Sequence, residues 1–168
     1  MKQTVVLETS FWTVGYYAQV NQYLFDYFNI YITNDVKQEI LQPGSEFPSV
    51  IYPYAKLFQL LLKNNQFTIK TPKGKIKVFG KGDSASISLA WEQKLGLLIN
   101  DNRPYQYAKN LGIPVVSVPG FTLFLYQNKI ITKKAFFKKL EIIKPITAPG
   151  LIKSVQSHME HIKPWEGE

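Results

Sequence analysis

Short apolar runs alternate with helix-spaced stretches along this chain, and no other feature constrains its fold as strongly. Thr4 to Leu7 is a β-branched, apolar run that ends at Glu8. Asn29-Ile-Tyr-Ile-Thr33, Leu97-Leu-Ile99 and Pro114-Val-Val-Ser-Val118 are equally short and equally rich in strand formers. Between them the spacing turns helical. Thr9 or Ser10 is placed to cap a helix carrying Phe11, Tyr16, Val20 and Leu24 along one side. Asn34 is a good cap for a helix with Val36, Glu39, Ile40 and Leu41, ended by Gln42-Pro43-Gly44. Leu57, Leu60 and Leu61 mark a helix within residues 53–64, and Gly82 opens a longer one bearing Ile87, Leu89, Ala90 and Leu95. Arg103 to Leu111 is helical up to Gly112, and two Lys-rich helices follow. Phe67 to Phe79 reads as extended with a turn at Pro72-Lys-Gly74, which predicts a hairpin.

Buried strands set singly between helices predict the α/β class, a three-layer α/β/α sandwich with a central parallel sheet. No internal repeat or low-complexity tract divides the 168 residues. The expectation is therefore one domain over 1–168, with the C-terminal helices of 132–163 packed on it.

A parallel sheet directs the search for a site. Ligands in such folds bind beyond the carboxyl ends of the strands, near the point where strand order reverses. Glu8 follows the first strand directly, and Asp101 follows Leu97-Leu-Ile99 one residue on, past Asn100. Glu39 lies on the helix after the second strand, and Asp83 opens the Gly82 helix. Each acid alone has an ordinary account, as a helix cap, a solvated helix face or a strand-end loop. Four carboxylates gathered at one edge would repel unless a cation neutralised them. An all-oxygen set suits Mg²⁺ or Mn²⁺, and such an ion can hold a phosphodiester and activate a water for in-line attack. Cysteine is absent, which excludes disulfides, zinc ribbons, iron–sulfur clusters and thiol nucleophiles.

These motifs resemble the PIN-domain family. Val5-Val-Leu-Glu-Thr-Ser10 is similar to the family's opening strand, which ends in Asp-Thr-Ser or Asp-Thr-Asn, and Val36-Lys-Gln-Glu39-Ile resembles its Val-x-x-Glu-Val helix. Gly82-Asp-Ser-Ala-Ser-Ile-Ser-Leu-Ala90 resembles the Gly-Glu-x-x-Ala-Ile-x-Leu-Ala helix of one subgroup. Leu97-Leu-Ile-Asn-Asp101 is similar to its Leu-Leu-Ile-Asp-Asp strand end, and Ala108 to Val116 to its Ala-x-x-Leu-Gly-Ile-x-Val-Val. The resemblance implies a metal-dependent endoribonuclease, of the kind that serves as the VapC-type toxin of a toxin–antitoxin pair. It implies that Glu8, Glu39, Asp83 and Asp101 are the catalytic, metal-binding acids, with Ser10 orienting the first acid or a metal-bound water. It also implies an antitoxin protein as partner and suggests a homodimer. Three positions depart from the family. The first acid is Glu8 instead of Asp, Ala85 stands where the subgroup often has a second Glu, and Asn100 replaces the first Asp of the pair, keeping an oxygen but losing a charge. Those departures motivate the alternative, a catalytically weakened or inactive PIN-like module that binds RNA or a protein partner.

Charge points the same way. Twenty basic residues face 12 acidic ones for a formal net charge of +8, and Arg103 is the sole arginine. Such an excess fits a polyanionic partner, either nucleic acid or an anionic membrane surface. Seven Lys and no acid lie between Glu46 and Asp83, five of them Lys70, Lys73, Lys75, Lys77 and Lys81. With Arg103 these are the candidate contacts to an RNA backbone. Tyr105 and Tyr107 are candidates for stacking on unpaired bases, with half-buried packing as the plainer expectation. His158 and His161 lack a third ligand and read as surface residues. Trp91, Phe136 and Phe137 read as core or dimer-interface residues, and Gly74, Gly80 and Gly82 do not form a phosphate loop. No run is long or apolar enough for an export signal or a bilayer span, so the expected location is the cytoplasm.

Overall fold

A computed structural model describes residues 1–42, 51–74, 76–163 and 165. Its centre is a five-stranded sheet: β1 (Gln3–Leu7), β2 (Phe28–Ile32), β3 (Phe67–Ile69), β4 (Gly96–Leu98) and β5 (Val115–Val116). The strands run in the order β3-β2-β1-β4-β5, and every pairing is parallel. The chain therefore winds outward from β1 to β3, then returns to build the other half. The order reverses between β1 and β4, where Leu7 stands opposite Leu98. Residues just past these two strands face the crevice of the sheet.

Helices fill both faces. Residues along β1 alternate between them, as the pleat dictates. Val5 and Leu7 enter one apolar cluster, and Val6 enters the other. The smaller cluster lies under α5 (Lys81–Gln93) and α6 (Asn102–Asn110), through Ile87, Leu89, Ala90 and Ala108. The larger is covered by α1 (Thr9–Tyr17), α2 (Asn21–Tyr27), α3 (Asn34–Leu41), α4 (Pro53–Lys63) and α7 (Val118–Gln127). Trp12 anchors it, packing edge-on against Phe58 and Phe67 while its indole N–H donates to the Tyr54 carbonyl at 2.8 Å. The helices α8 (Lys133–Ile143) and α9 (Pro149–Met159), joined through a 3₁₀ turn at Lys144–Ile146, add Phe136, Leu140, Ile143, Ile152, Val155 and Met159 to this same cluster. No helix among the described residues is long and apolar enough to cross a membrane.

Local structure departs from the sequence-based expectations in four places. The stretch from Phe11 to Leu24 is two helices, broken where Gln19 takes a positive φ of 54°. Glu8 itself caps α1, its carboxylate accepting the Ser10 N–H, so neither Thr9 nor Ser10 is the cap. Thr33 caps α3 in place of Asn34, its hydroxyl accepting the Val36 N–H at 3.2 Å. The hairpin over 67–79 does not form. β3 ends at Ile69 in parallel pairing with β2, and N–H groups that a return strand would have offered go to side chains of α5. Of the expected end of the Asn34 helix, Pro43-Gly44 lies outside the described residues, as does Lys75.

Candidate active site

The two strand ends at the reversal point are joined by one hydroxyl. Ser10 Oγ donates to the Glu8 carboxylate and accepts the main-chain N–H groups of Asn100 at 2.9 Å and Asp101 at 3.0 Å. The Ser10 N–H also donates to Glu8, at 2.8 Å. The Glu8 N–H continues the sheet by donating to Leu98 O at 3.0 Å. One oxygen of Glu8 is thus fixed twice, and the start of the β4–α6 turn is fixed to the start of α1.

Glu8 is only 3% exposed. Burial first, and the nearby Asp83 second, push its carboxyl up to about 8 from the usual carboxylate range, against the lowering effect of the Ser10 hydrogen bonds. Asp83, on the first turn of α5, is half-buried and hydrogen-bonded to Glu8. Its carboxyl is raised to about 6 by burial, with the charges of Asp101 and Glu39 adding to the rise. Both carboxyls are thus pushed towards the protonated form, Glu8 further than Asp83. None of the four acids is ion-paired within the described residues, in a chain of net charge +8.

The other two acids approach differently. Glu39 reaches across from α3, accepting from the Thr9 hydroxyl at 2.6 Å and from the Gly82 N–H at 2.9 Å. A Cβ on Gly82 would lie 2.2 Å from a Glu39 oxygen, so only glycine permits this approach. Asp101 stands exposed at the rim, close enough to raise the Asp83 carboxyl. As the side chains stand, no three of the described His, Asp or Glu residues surround one point as metal ligands. The structure brings Glu8 and Asp83 into contact and sets Glu39 and Asp101 on either side. The donors are all oxygens, no cationic side chain among the described residues offsets their repulsion, and the Glu8 and Asp83 carboxyls are both pushed up. Those observations fit a hard divalent cation.

Asn100 is turned away from the acids. It is 4% exposed, its carboxamide oxygen accepts the Val118 N–H at 3.0 Å, and its NH₂ donates to the Thr147 hydroxyl at 3.2 Å. It acts as a strut between the end of β4, the start of α7 and the chain before α9. Thr9, Gly82 and Thr147 take part in the site without having stood out as candidates in the sequence. Thr9 carried a signal as the middle residue of the Glu-Thr-Ser run and Gly82 as the first residue of the Gly-Asp helix motif, whereas Thr147 carried none.

The basic candidates divide into two groups. Lys70 follows β3, its ammonium 5.4 Å from the centre of the Tyr31 ring. Lys73, Lys77 and Lys81 are exposed along a segment that lies on α5 and runs into its first turn, and Arg103 is exposed on α6. Tyr105 and Tyr107 are half-buried against the smaller apolar cluster, with Tyr107 edge-on to Phe79. His158 and His161 are exposed, each bonded to a carbonyl one turn earlier in the chain. Phe136 is core, whereas Trp91 is 58% exposed.

Comparison with known proteins adds three findings. A family model described as PIN domain matches residues 16–160, a span that includes Glu39, Asp83 and Asp101 and begins after Glu8. Among solved structures, a PilT N-terminus domain protein from the hyperthermophilic archaeon Sulfolobus solfataricus is similar over 83% of this chain and 95% of its own, with 12% identity and a TM-score of 0.39. None of the curated proteins matches this chain.

Proposed function

The chain belongs to the PIN-domain family, whose members are generally nucleases, and from that premise we propose that it is a metal-dependent endoribonuclease hydrolysing RNA phosphodiester bonds. The observation that carries the reading is the buried Glu8–Asp83 carboxyl pair at the reversal point of the sheet, with no cationic side chain among the described residues to neutralise it. Structural carboxylates are ordinarily given a partner, and repulsion is retained where a bound cation or substrate relieves it.

Glu8, Asp83 and Asp101 would hold Mg²⁺ or Mn²⁺, with Glu39 beside them. The ion supplies charge neutralisation for the phosphodiester and a water of lowered pKa. Ser10 fixes the orientation of Glu8 and couples it to the Asp101 main chain. Thr9 and the Gly82 N–H hold Glu39, so its charge stays beside Asp83. Asp101, exposed at the rim, would accept a proton from the attacking water. A P–O bond to that water's oxygen forms, the opposite ester P–O bond breaks, and the leaving oxygen takes its proton from solvent. Exposed lysines around the rim bind the flanking phosphates. Service as the toxin of a toxin–antitoxin pair belongs to the same proposal, and growth arrest on expression, lost in Asp101→Asn, tests it.

A second reading, a non-catalytic module that binds RNA or a protein, is favoured by Asn100, whose side-chain oxygen is engaged by Val118. Calorimetric titration with Mn²⁺ separates the two. The nuclease reading expects binding at or below millimolar ion and cleavage of a single-stranded RNA mixture that Asp101→Asn abolishes. Absence of binding at millimolar Mn²⁺ leaves the module reading standing.

A further inference from the structure

Ser84, Ser88 and Glu92 are spaced four residues apart on α5, so they share one face of the helix. All three bind the main chain of 73–79. The Glu92 carboxylate accepts the N–H groups of Gly74 at 2.7 Å and Lys73 at 2.9 Å. Ser88 Oγ accepts the Ile76 N–H at 2.8 Å. Ser84 Oγ accepts the Phe79 N–H at 3.2 Å and donates to the Phe79 carbonyl at 3.0 Å. The main-chain bonds to Glu92 hold its carboxyl below the usual carboxylate range, Gly74 first and Lys73 second.

From Ser84 to Glu92 the helix rises about 12 Å. Over that length the described residues of the segment form no strand or helix of their own. The N–H groups of Lys73, Gly74, Ile76 and Phe79 are nevertheless satisfied. Ile76 and Phe79 turn inward and pack against the smaller apolar cluster. Lys73, Lys77 and Lys81 are left exposed, and none is ion-paired within the described residues. The segment runs from Glu92 down to Gly80, the cap of α5, and so delivers its lysines to the turn that carries Asp83. Between it and α3 lies a cleft of about 350 Å³, lined by Asp35, Ile76, Lys77, Phe79 and Lys81. Such a cleft offers room to an unpaired base, which a duplex would keep stacked.

We propose that Ser84, Ser88 and Glu92 are positioning residues that mount the described residues of 73–79 as a rail, and that Lys73, Lys77 and Lys81 track the phosphate backbone of a single-stranded RNA towards the acid cluster. The proposal rests on the ribonuclease reading of that cluster. Its logic is preorganisation: a basic loop that must order on binding loses affinity, whereas one already fixed by side-chain acceptors does not. It also has a counterintuitive consequence. Glu92 is a negative charge on an RNA-binding face, and simple electrostatics would have its removal tighten binding.

The test uses the full chain in EDTA, a labelled mixed-sequence single-stranded RNA, and a salt series. Glu92→Ala is expected to weaken binding several-fold although it raises the net charge, and Ser88→Ala to weaken it with no charge change. Giving up one neutralised phosphate lowers the salt slope by about 0.7, so Glu92→Ala and Lys77→Gln should each show a drop of that size. Glu92→Gln, which keeps an acceptor for one of the two amides, should fall between Glu92→Ala and the parent. With Mn²⁺ restored, Glu92→Ala should raise KM and leave kcat within twofold. An RNA duplex of the same length should be bound more weakly than the single strand and respond less to Glu92→Ala. If Glu92→Ala and Ser88→Ala bind RNA as tightly as the parent, or tighter, while Lys77→Gln weakens it, the mount is refuted and RNA binding stands. If the parent itself binds no RNA, the ribonuclease reading falls, and this proposal with it.

Discussion

The acid cluster and the lysine rail meet at the first turn of α5, yet they are held in opposite ways. In the cluster the functional groups are themselves the held groups. Glu8, Glu39, Asp83 and Asp101 come from four separate elements, and each of the first three is bonded to hydroxyls, amides or another acid of the site. In the rail the main chain is held, while the Lys73, Lys77 and Lys81 side chains are exposed and form no ion pair within the described residues. A site built the first way tolerates almost no change to its functional residues, because each substitution disturbs both charge and geometry. A surface built the second way tolerates loss of one lysine better than loss of its mount.

After the abolition of cleavage expected for Asp101→Asn, the largest expected effect is at Asp83. Asp83→Asn should lower cleavage by more than the roughly 10–100-fold typical of residues that only support a metal site. It should also raise the unfolding temperature of the metal-free protein, since it removes the carboxylate that repels Glu8. The pH dependence follows from the same pair. Both carboxyls are raised in the fold, from 4.5 to about 8 for Glu8 and from 3.8 to about 6 for Asp83. The native state therefore holds protons that the unfolded chain releases, and stability from these groups is full below about pH 4 and is lost as pH rises through 6 and then 8. Thermal melts in EDTA should show a falling midpoint between about pH 5 and 8.5. Saturating Mn²⁺ should flatten or reverse that slope, because the ion favours the deprotonated forms. A midpoint independent of pH in EDTA would mean that the two carboxyls are not raised in the fold.

Next come the residues that hold the acids. Ser10→Ala leaves the Asn100 and Asp101 N–H groups without their acceptor and frees Glu8, so a loss of activity of roughly 10–100-fold is expected. Ser10→Thr, which keeps the hydroxyl, should recover part of it. Gly82→Ala puts a methyl group into the Glu39 carboxylate and should cost about 1–3 kcal/mol by displacing its bond to the Gly82 N–H. Urea unfolding of the metal-free protein measures this directly. An unchanged midpoint would show that Glu39 can be accommodated elsewhere.

The parts of the molecule legible in the sequence were those with local or periodic signals. The parallel sheet followed from short apolar runs set between helices, while Glu8 and Asp101 stood out by their position just past strand ends and Glu39 and Asp83 by their place on the neighbouring helices. What the sequence did not reveal depends on contacts between distant segments. Lys73, Lys75 and Lys77 fall at every second position, as suits a strand, but the strand period alone cannot tell whether a partner strand exists. Here the partner is the Ser84–Ser88–Glu92 face of α5, whose residues look like an unremarkable polar stripe. Asn100 is another case. Beside Asp101 it resembles half of an acid pair, yet its amide is complementary to Val118 and Thr147, 18 and 47 residues away. Trp91 reads as a core or dimer-interface residue, and the structure takes it out of the core, since it lies near the C-terminal end of α5 and is largely exposed.

The smallest effect expected separates two lysines that the sequence groups together. Lys70 lies past the end of β3, and its ammonium rests against the Tyr31 ring, an interaction of about 0.5–1 kcal/mol at an exposed site. Drawing it onto a phosphate would sacrifice part of that interaction, and its main chain is held by β2 instead of α5, the Lys70 N–H donating to Ile32 O at 2.9 Å. Lys77 borders the cleft beside α3 and has no such competing partner within the described residues. Lys70→Gln should therefore leave the salt slope of RNA binding within about 0.2 of the parent, against a drop of about 0.7 for Lys77→Gln. Lys70→Gln should also cost a few tenths of a kcal/mol in stability, which Lys77→Gln should not. Equal slopes for the two variants would mean that RNA crosses the β3 edge as well as α5, and that the basic face is one continuous surface instead of a directed rail.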